Sequence, residues 1–187
     1  MNNCLILVDL QNDYFPGGRM ELEGIEEAAA KARELLNEFR KANLPVIHIQ
    51  HVSSRPDATF FLPDTDGVKI NRVVTPQEDE TVIVKNFPNS FRDTTLWETL
   101  KKERTGSLVI CGAMSHMCID ATTRAAFDLG FNCTVAEDAC ATKDLTFKGR
   151  TIKASDVHSS FMAALSAPYA KVIPTKEIIA SRVLAAL

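Results

Sequence analysis

The sequence lacks several features that would place it in a large class of proteins. No apolar run approaches the roughly 18 residues that a membrane-spanning helix needs. With 21 basic and 24 acidic residues, the formal net charge of -3 gives no electrostatic reason to expect nucleic acid or an anionic membrane as a partner. No GxGxxG motif follows the first strand-like segment, so a dinucleotide is not indicated. We therefore expect no nucleic-acid partner, no membrane association and no cofactor.

The five cysteines lack the spacing of a metal or redox motif. Six residues separate Cys111 from Cys118, six separate Cys133 from Cys140, and no CxxC pair occurs. The N-terminal segment carries no basic region, and its apolar run stops at Asp9, unlike a secretory signal peptide. Unpaired cysteines of this kind are typical of a reducing compartment. The sequence predicts a cytoplasmic protein.

Short apolar segments alternate with helical patterns along most of the chain. Six segments suit buried strands, because they are too short for helices and rich in β-branched residues. They are residues 4–8, 46–50, 81–84, 107–111, 133–136 and 171–173. Alternation of this kind is typical of βαβ units. It predicts a single α/β domain over residues 1–187, with a mainly parallel six-stranded sheet and helices on both faces.

The segments between the strands divide into helices and two long loops. Apolar spacing predicts helices over 25–39, 118–129 and 155–165, with Gly130 just after the second. Asp93 and Thr175 are interpreted as N-caps of two further helices, the last extending to Leu184. Residues 53–80 and 138–149 show no clear period and are predicted as loops. A loop as long as 53–80 is usually functional.

Three polar residues lie at the ends of predicted strands. Asp9 follows the first strand, Lys85 ends the third, and Cys118 lies where the fourth strand turns into a helix. The carboxyl ends of parallel strands meet at one edge of the sheet, where ligands bind in open α/β folds. A helix N-terminus and an ammonium favour a thiolate, and a carboxylate accepts the thiol proton. We interpret the three residues as a nucleophile set.

Three segments carry a resemblance to a known family. They are VDLQNDY with Asp9, VKNFPNSF with Lys85, and CGAMSHMCIDATTRAAFDLGF with Cys118. In this order and spacing, and with the later DAC and VHSSFMAAL segments, the chain resembles the isochorismatase-like cysteine hydrolases over nearly its whole length. The resemblance implies a Rossmann-like three-layer sandwich and a homodimer or homotetramer. It also implies a cis peptide between Ala113 and Met114.

The resemblance assigns catalytic roles to the three polar residues. Asp9 accepts the thiol proton, Lys85 stabilises the thiolate, and Cys118 attacks a substrate carbonyl. The backbone N–H groups of Met114 and Cys118 form the oxyanion hole. Hydrolysis of a C–N bond in a small-molecule amide, through a thioester, is the expected reaction. The isochorismatases that name the family cleave a vinyl ether without the cysteine, so Cys118 favours the amidohydrolase branch.

The histidines after the second strand depart from one branch of the family. Members resembling nicotinamidases hold a metal with an Asp-x-His segment and a further histidine, whereas this chain has His48 and His51 without that segment. Two strand residues three apart face opposite sides of a sheet and do not easily bind one ion. We predict no catalytic metal.

The substrate pocket and two alternative functions are the least specific predictions. The candidate pocket residues lie in or beside loops at the presumed active edge: Gln11, Tyr14, Phe15, Phe87, Phe91 and His116. Gln11 is expected to orient Asp9 through a hydrogen bond. An isochorismatase-type or nicotinamidase-type reaction stays open. So do a non-catalytic binding protein and a redox sensor in which Cys118 pairs with Cys111.

Overall fold

The computed structural model describes residues 2–181, in which strands and helices alternate. The strands are β1 (Asn2–Val8), β2 (Val46–His51), β3 (Thr81–Lys85), β4 (Thr105–Ala113), β5 (Asn132–Ala141), β6 (Leu145–Phe147), β7 (Arg150–Ile152) and β8 (Lys171–Ile173). The α-helices are α1 (Ile25–Lys41), α2 (Leu96–Lys102), α3 (Asp120–Asp128), α4 (Ala154–Leu165) and α5 (Thr175–Ala180). This order matches the predicted alternation.

Six strands form one parallel sheet in the order β3-β2-β1-β4-β5-β8. Every residue from Cys4 to Val8 of β1 is buried. Because successive strand residues point to opposite faces, an unbroken buried run requires cover on both sides. Helix α1 packs against α5, and α3 packs against α4. The predicted α/β fold, with a six-stranded parallel sheet and flanking helices, is confirmed.

The middle of the sheet is where the strand order reverses. From β1 the chain builds β2 and β3 on one side, then crosses to β4 on the other side and continues outward to β5 and β8. In open α/β sheets, the crevice at the carboxyl ends of strands flanking such a reversal is the usual ligand site. The crevice between β1 and β4 is therefore the expected position of a ligand site.

The region predicted as a loop over 138–149 is the main difference from the sequence-based fold. Strand β5 continues through Glu137 and Asp138 to Ala141, and β6 and β7 form an antiparallel hairpin. Because Glu137 and Asp138 are polar, the sequence did not indicate that β5 continues past them. In the structure, the Asp138 carboxylate is accommodated by hydrogen bonds that it accepts from the N–H and hydroxyl of Thr175, both at 2.7 Å. Lys148 and Gly149 turn the hairpin with φ of 48° and 76°, as a two-residue turn requires.

Two predicted N-caps lie elsewhere. Helix α2 begins at Leu96 after Thr95, so Asp93 does not cap it. Thr175 is the first residue of α5 rather than its cap, and the predicted extension to Leu184 lies outside the described residues. Among residues 2–181, no helix is long and apolar enough to cross a membrane.

Candidate active site

Asp9 leaves the end of β1 in an unusual backbone conformation. Its φ is 52°, a left-handed value that aspartate tolerates better than most residues. Its N–H donates to the Ile49 carbonyl of β2 at 3.1 Å, and its own carbonyl accepts from the Gln11 N–H at 2.9 Å. These bonds turn the chain sharply after the strand. The Asp9 side chain is fully buried at the crevice between β1 and β4.

Cys118 is brought to the same crevice by the end of β4. A Cβ at Gly112 would lie 2.0 Å from the Val8 carbonyl oxygen, and its φ is 125°, so glycine lets β4 approach β1 here. The Ala113-Met114 peptide that follows is cis, as the family resemblance implies. The chain then enters a π-helical turn, Ser115–Ile119, that leads into α3. The helix predicted from Cys118 onward therefore begins with this wider turn.

Lys85 joins the two residues. Its Nζ lies 2.7 Å from Asp9 Oδ2 and 3.2 Å from Cys118 Sγ. The three residues are 0%, 1% and 4% exposed for Asp9, Lys85 and Cys118. Burial lowers the pKa of Lys85, but its interactions with Asp9 and Cys118 raise it more, and the net direction is upward. The structure thus brings the three predicted residues together around a protonated amine.

The resting form of Cys118 differs from the sequence-based expectation of a favoured thiolate. Burial raises the pKa of the Cys118 thiol, the charge of Asp9 raises it further, and Lys85 only partly offsets both. The sulfur is therefore a neutral thiol in the closed site. The carboxylate and the ammonium are placed to act during proton transfer, rather than to store a thiolate beforehand.

The two histidines of β2 face opposite directions, as their spacing predicts. His48 Nε2 contacts Glu80 Oε2 at 3.0 Å, whereas His51 Nδ1 lies 3.0 Å from Lys85 Nζ. Asp9, His51 and Cys118 each offer a ligand atom within 4.8 Å of one another. The Lys85 ammonium contacts all three groups, so it fills the position that a metal ion would take. This arrangement does not fit a metal alongside Lys85.

The Gln11 side chain does not orient Asp9. Its Nε2 donates to the carbonyls of His51 and Val68 at 2.8 and 2.7 Å, and its Oε1 accepts from the His51 N–H at 2.7 Å. Both amide protons are therefore committed to backbone groups. Among the residues that the structure describes, the Gln11 side chain forms no hydrogen bond to Asp9 and instead ties the end of β2 to the long loop 53–80, while the Gln11 backbone N–H donates to the Asp9 carbonyl.

An aromatic wall, formed by Tyr14, Phe60 and Phe61, borders the site. The Tyr14 and Phe61 rings are 4.6 Å apart, and Phe61 also packs against the His51 ring at 5.8 Å. Burial raises the pKa of Tyr14, and its proximity to Cys118 and Asp9 adds to that effect. Tyr14 therefore lies where it was predicted. Phe61, which the sequence did not single out from other loop aromatics, is held there by the Asp13 carboxylate, which accepts its N–H at 2.6 Å.

The other predicted pocket aromatics occupy three different places. The Phe87 carbonyl accepts from Lys85 Nζ at 3.1 Å, and the Arg92 guanidinium stacks 3.6 Å above the Phe87 ring. Phe91 stacks on Phe131 at 6.2 Å and packs against the core. Phe15 is 7% exposed and lines surface grooves that contain none of the three polar residues. Of these predicted residues, Phe87 is the one that contacts Lys85.

The π-helical turn that carries Cys118 is fastened to its surroundings by side-chain hydrogen bonds, one of which runs from Ser115 Oγ to the Ala141 carbonyl at 3.3 Å. Ser115 Oγ lies 2.9 Å from His158 Nδ1 of α4, and His116 Nδ1 lies 2.6 Å from Thr142 Oγ1. His116, predicted as a pocket residue, is thus engaged with the segment after β5. His158 was not predicted, although it lies in the VHSSFMAAL segment that supports the family resemblance.

The switch point of a parallel α/β sheet, where this buried polar cluster lies, is the usual place of a ligand site in such folds. Comparison with known proteins is more specific. The Isochorismatase domain family matches residues 3–177. The chain therefore belongs to the isochorismatase family of hydrolases.

Relatives and solved structures agree with this assignment. YddQ, an isochorismatase family protein of Bacillus subtilis, is 49% identical over 94% of this chain and 98% of its own length. Streptothricin hydrolase of Streptomyces noursei is 32% identical over 87% of this chain and 56% of its own. A crystal structure from Oleispira antarctica, assigned to the isochorismatase hydrolases, has 50% identity and a TM-score of 0.93, and the match covers 96% of this chain and 97% of that one.

Proposed function

We propose that this protein is a cysteine hydrolase that cleaves an amide-type C–N bond of a small molecule through a thioester on Cys118. The observation that carries the proposal is the placement of Lys85 Nζ, 2.7 Å from Asp9 Oδ2 and 3.2 Å from Cys118 Sγ, in a closed site. A carboxylate, an ammonium and a thiol in contact can form a nucleophile and retain its proton for later use.

The first step is transfer of the thiol proton to Asp9. The Asp9 carboxylate forms an ion pair with Lys85 and also interacts with the Cys118 side chain, so it is placed to accept the thiol proton. The transfer leaves a thiolate next to the Lys85 ammonium. Because both charges are shielded from water, their attraction is stronger than it would be at the surface. The thiolate then attacks the substrate carbonyl carbon.

The proton held by Asp9 makes an amide a suitable substrate. An amine leaves only when it is protonated, and Asp9 now holds the proton taken from Cys118. Breaking the C–N bond leaves an acyl group on the sulfur. Water, deprotonated by Asp9, then releases the acid and restores the thiol. The relationship to a streptothricin hydrolase supports a hydrolytic reaction on a small molecule.

The oxyanion of each tetrahedral intermediate is assigned to the backbone N–H groups of Met114 and Cys118. Both residues belong to the segment that begins with the cis peptide and enters the π-helical turn. One such donor contributes about 3–4 kcal/mol in comparable sites. No metal is part of the proposal, because the Lys85 ammonium occupies the cation position.

The alternative role as a redox sensor is disfavoured by burial. Redox-sensing cysteines are exposed and have low pKa values. Cys118 is 4% exposed with a raised pKa, and Cys111 is 0% exposed with a raised pKa as well. A proton acceptor and a cation in contact with Cys118 suit catalysis better than sensing.

The test is the rate of alkylation at Cys118, followed by intact-protein mass spectrometry at low iodoacetamide concentration. All five cysteines are buried, and Cys133 and Cys140 are slightly more exposed than Cys118, so static exposure would not make Cys118 label faster. We expect one alkyl group per chain on Cys118. Lys85→Met, which keeps the length of the stem but removes the charge, is expected to slow labelling about 10- to 1000-fold.

Lys31→Met is the matched control, because Lys31 is an exposed helix residue paired with Glu34. It should label at the wild-type rate. A panel of small amides, with trapping of the acylated protein, then identifies the substrate. If Cys118 in the wild type labels no faster than the other four cysteines, the proposed function is wrong.

A further inference from the structure

Lys85 has more hydrogen-bond acceptors than protons. Its Nζ lies within 3.2 Å of four acceptors: Asp9 Oδ2, His51 Nδ1, the Phe87 carbonyl and Cys118 Sγ. An ammonium carries three protons. At any moment one of the four acceptors is therefore left without a full hydrogen bond, and which one depends on the protonation of its neighbours.

His51 is placed for this contact by the sheet itself. In the register of β2 and β3, His51 lies directly opposite Lys85. Cross-strand partners project to the same face, so the imidazole and the ammonium meet without a special loop. The Gln11 side chain accepts a hydrogen bond from the His51 N–H and donates one to the His51 carbonyl, which fixes the backbone there. Phe61 packs against the ring.

The protonation of His51 decides what it can do. The charged and titratable groups facing it are Lys85 from β3, Asp9 from the end of β1 and Cys118 from the π-helical turn. Burial, reinforced by Lys85, lowers the pKa of His51 to about 4. The ring is thus neutral at pH 7 and accepts at Nδ1, with its own proton on Nε2.

We propose that His51 is a positioning residue of the proposed reaction, which holds the Lys85 ammonium between Asp9 and Cys118. His51 Nδ1 and the Phe87 carbonyl accept hydrogen bonds from two of the three N–H groups throughout the reaction. The third proton is the one that changes partner. The direction of this third N–H bond is set because the other two N–H bonds are held by acceptors that take no part in the reaction.

The change of partner follows the proton transfer. Before it, the sulfur is a neutral thiol and a weak acceptor, so the third N–H points to the Asp9 carboxylate. After the thiol proton has moved to Asp9, the carboxyl group is neutral and the sulfur is an anion. The same N–H then points to Cys118 Sγ. The amine keeps all three protons and does not need to move.

A purely structural role for His51 predicts a different outcome. If the ring only fills space against Phe61, an apolar side chain should replace it well, and a short polar one should replace it poorly. If its Nδ1 is needed as an acceptor, the order is reversed. His51→Leu keeps apolar bulk, and His51→Asn places an amide oxygen near the former Nδ1.

The experiment measures the pH profile of Cys118 alkylation by iodoacetamide in wild type, His51→Leu and His51→Asn. We expect His51→Leu to slow labelling at pH 7 about 10- to 100-fold and to shift its profile to higher pH. His51→Asn should stay within about threefold of wild type, because it retains the acceptor. His48→Asn controls for the same change on the opposite face of β2, and thermal melting verifies that each variant is folded.

The outcomes separate this inference from the proposed function. One outcome would overturn the role of His51 alone: Cys118 of the wild type labels fast and in a Lys85-dependent way, but His51→Leu labels as fast as His51→Asn or faster. Slow labelling of the wild type at Cys118 would instead overturn the proposed function on which the inference rests. If His51→Leu does not fold, a rate for His51→Asn more than tenfold below that of wild type would also overturn the inference.

Discussion

Two clusters with the same kinds of side chain lie on opposite faces of β2, one of them buried and the other partly exposed. One joins Asp9, Lys85 and His51, and the other joins Glu80, Arg40 and His48. Each contains a carboxylate, a basic side chain and a neutral histidine. Only the first also contains a thiol. Comparing the two clusters distinguishes the features that stabilise the fold from those that suit proton transfer.

The carboxylates differ in how fully their hydrogen bonds are satisfied. Glu80 accepts from Arg40 Nε and Nη2, both at 2.7 Å, from the Gln77 N–H at 2.9 Å and from His48 Nε2 at 3.0 Å. Burial raises its pKa, but these bonds outweigh burial and lower it to about 2. Asp9 forms an ion pair with the Lys85 ammonium and interacts with the Cys118 thiol, without the set of four donors that surrounds Glu80.

The histidines also differ in their role. His48 donates from Nε2 to Glu80, whereas His51 accepts at Nδ1 from Lys85. A carboxylate surrounded by donors holds its charge firmly and resists a proton. A carboxylate with one donor and a thiol beside it remains available to accept one. The Glu80 cluster is thus suited to tying α1 to the start of β3, and the Asp9 cluster to moving a proton.

The largest expected effect is on turnover. Asp9→Asn keeps the shape of the side chain but removes the proton acceptor, so turnover of an amide from the panel should fall about 10²- to 10⁴-fold. Glu80→Gln, the matching change in the other cluster, should leave turnover within about twofold while lowering the free energy of unfolding by about 1–3 kcal/mol. Steady-state kinetics and urea unfolding measure the two quantities. Comparable losses of turnover in both variants would break the comparison.

An intermediate effect is expected on stability in acid. The pKa of Glu80 is lowered to about 2 from 4.5, so its contribution to stability is present above about pH 4.5 and is lost as the pH falls toward 2. The difference in unfolding free energy between wild type and Glu80→Gln should therefore be largest near pH 6 and should shrink through pH 4 and 3. Urea unfolding at these pH values measures it. A difference independent of pH would contradict this role.

The smallest expected effect is that of a chelator. Each cluster already contains a cation of the chain, Lys85 in one and Arg40 in the other, close to its carboxylate and histidine. Treatment with EDTA should therefore leave turnover unchanged, and elemental analysis should find far less than one zinc per chain. A tightly bound stoichiometric zinc whose removal abolishes turnover would show that the amine does not take the place of a metal.

The sequence was most informative where function depends on the ends of strands. Asp9, Lys85 and Cys118 could be found because each directly follows or ends a short apolar run, and parallel strands place those ends together. The opposite facing of His48 and His51 followed from the two-residue period of a strand. These inferences depend on local pattern and on one rule of topology, so they need no knowledge of side-chain packing.

Contacts that depend on strand register or on loop packing could not be predicted. The partnership of His51 with Lys85 requires the pairing of β2 with β3, and a shift by one residue would turn His51 to the other face. The sequence suggested Gln11 as a partner of Asp9, but the Gln11 side chain donates to the Val68 carbonyl of the loop 53–80. Phe91 has the composition of a pocket residue but stacks on Phe131, which is 40 positions further along the chain.

The burial of Cys118, at 4% exposure, has a kinetic consequence. A molecule reaches the sulfur only while some of the surrounding side chains have moved aside, so every reaction there begins with an opening event. At low concentration of an alkylating reagent, the labelling rate depends on the nucleophilicity of Cys118. At high concentration, the labelling rate levels off at the rate of opening. Reagents of equal reactivity and unequal size would reach different plateaus. For the proposed reaction, we therefore expect turnover to be no faster than the opening of these side chains.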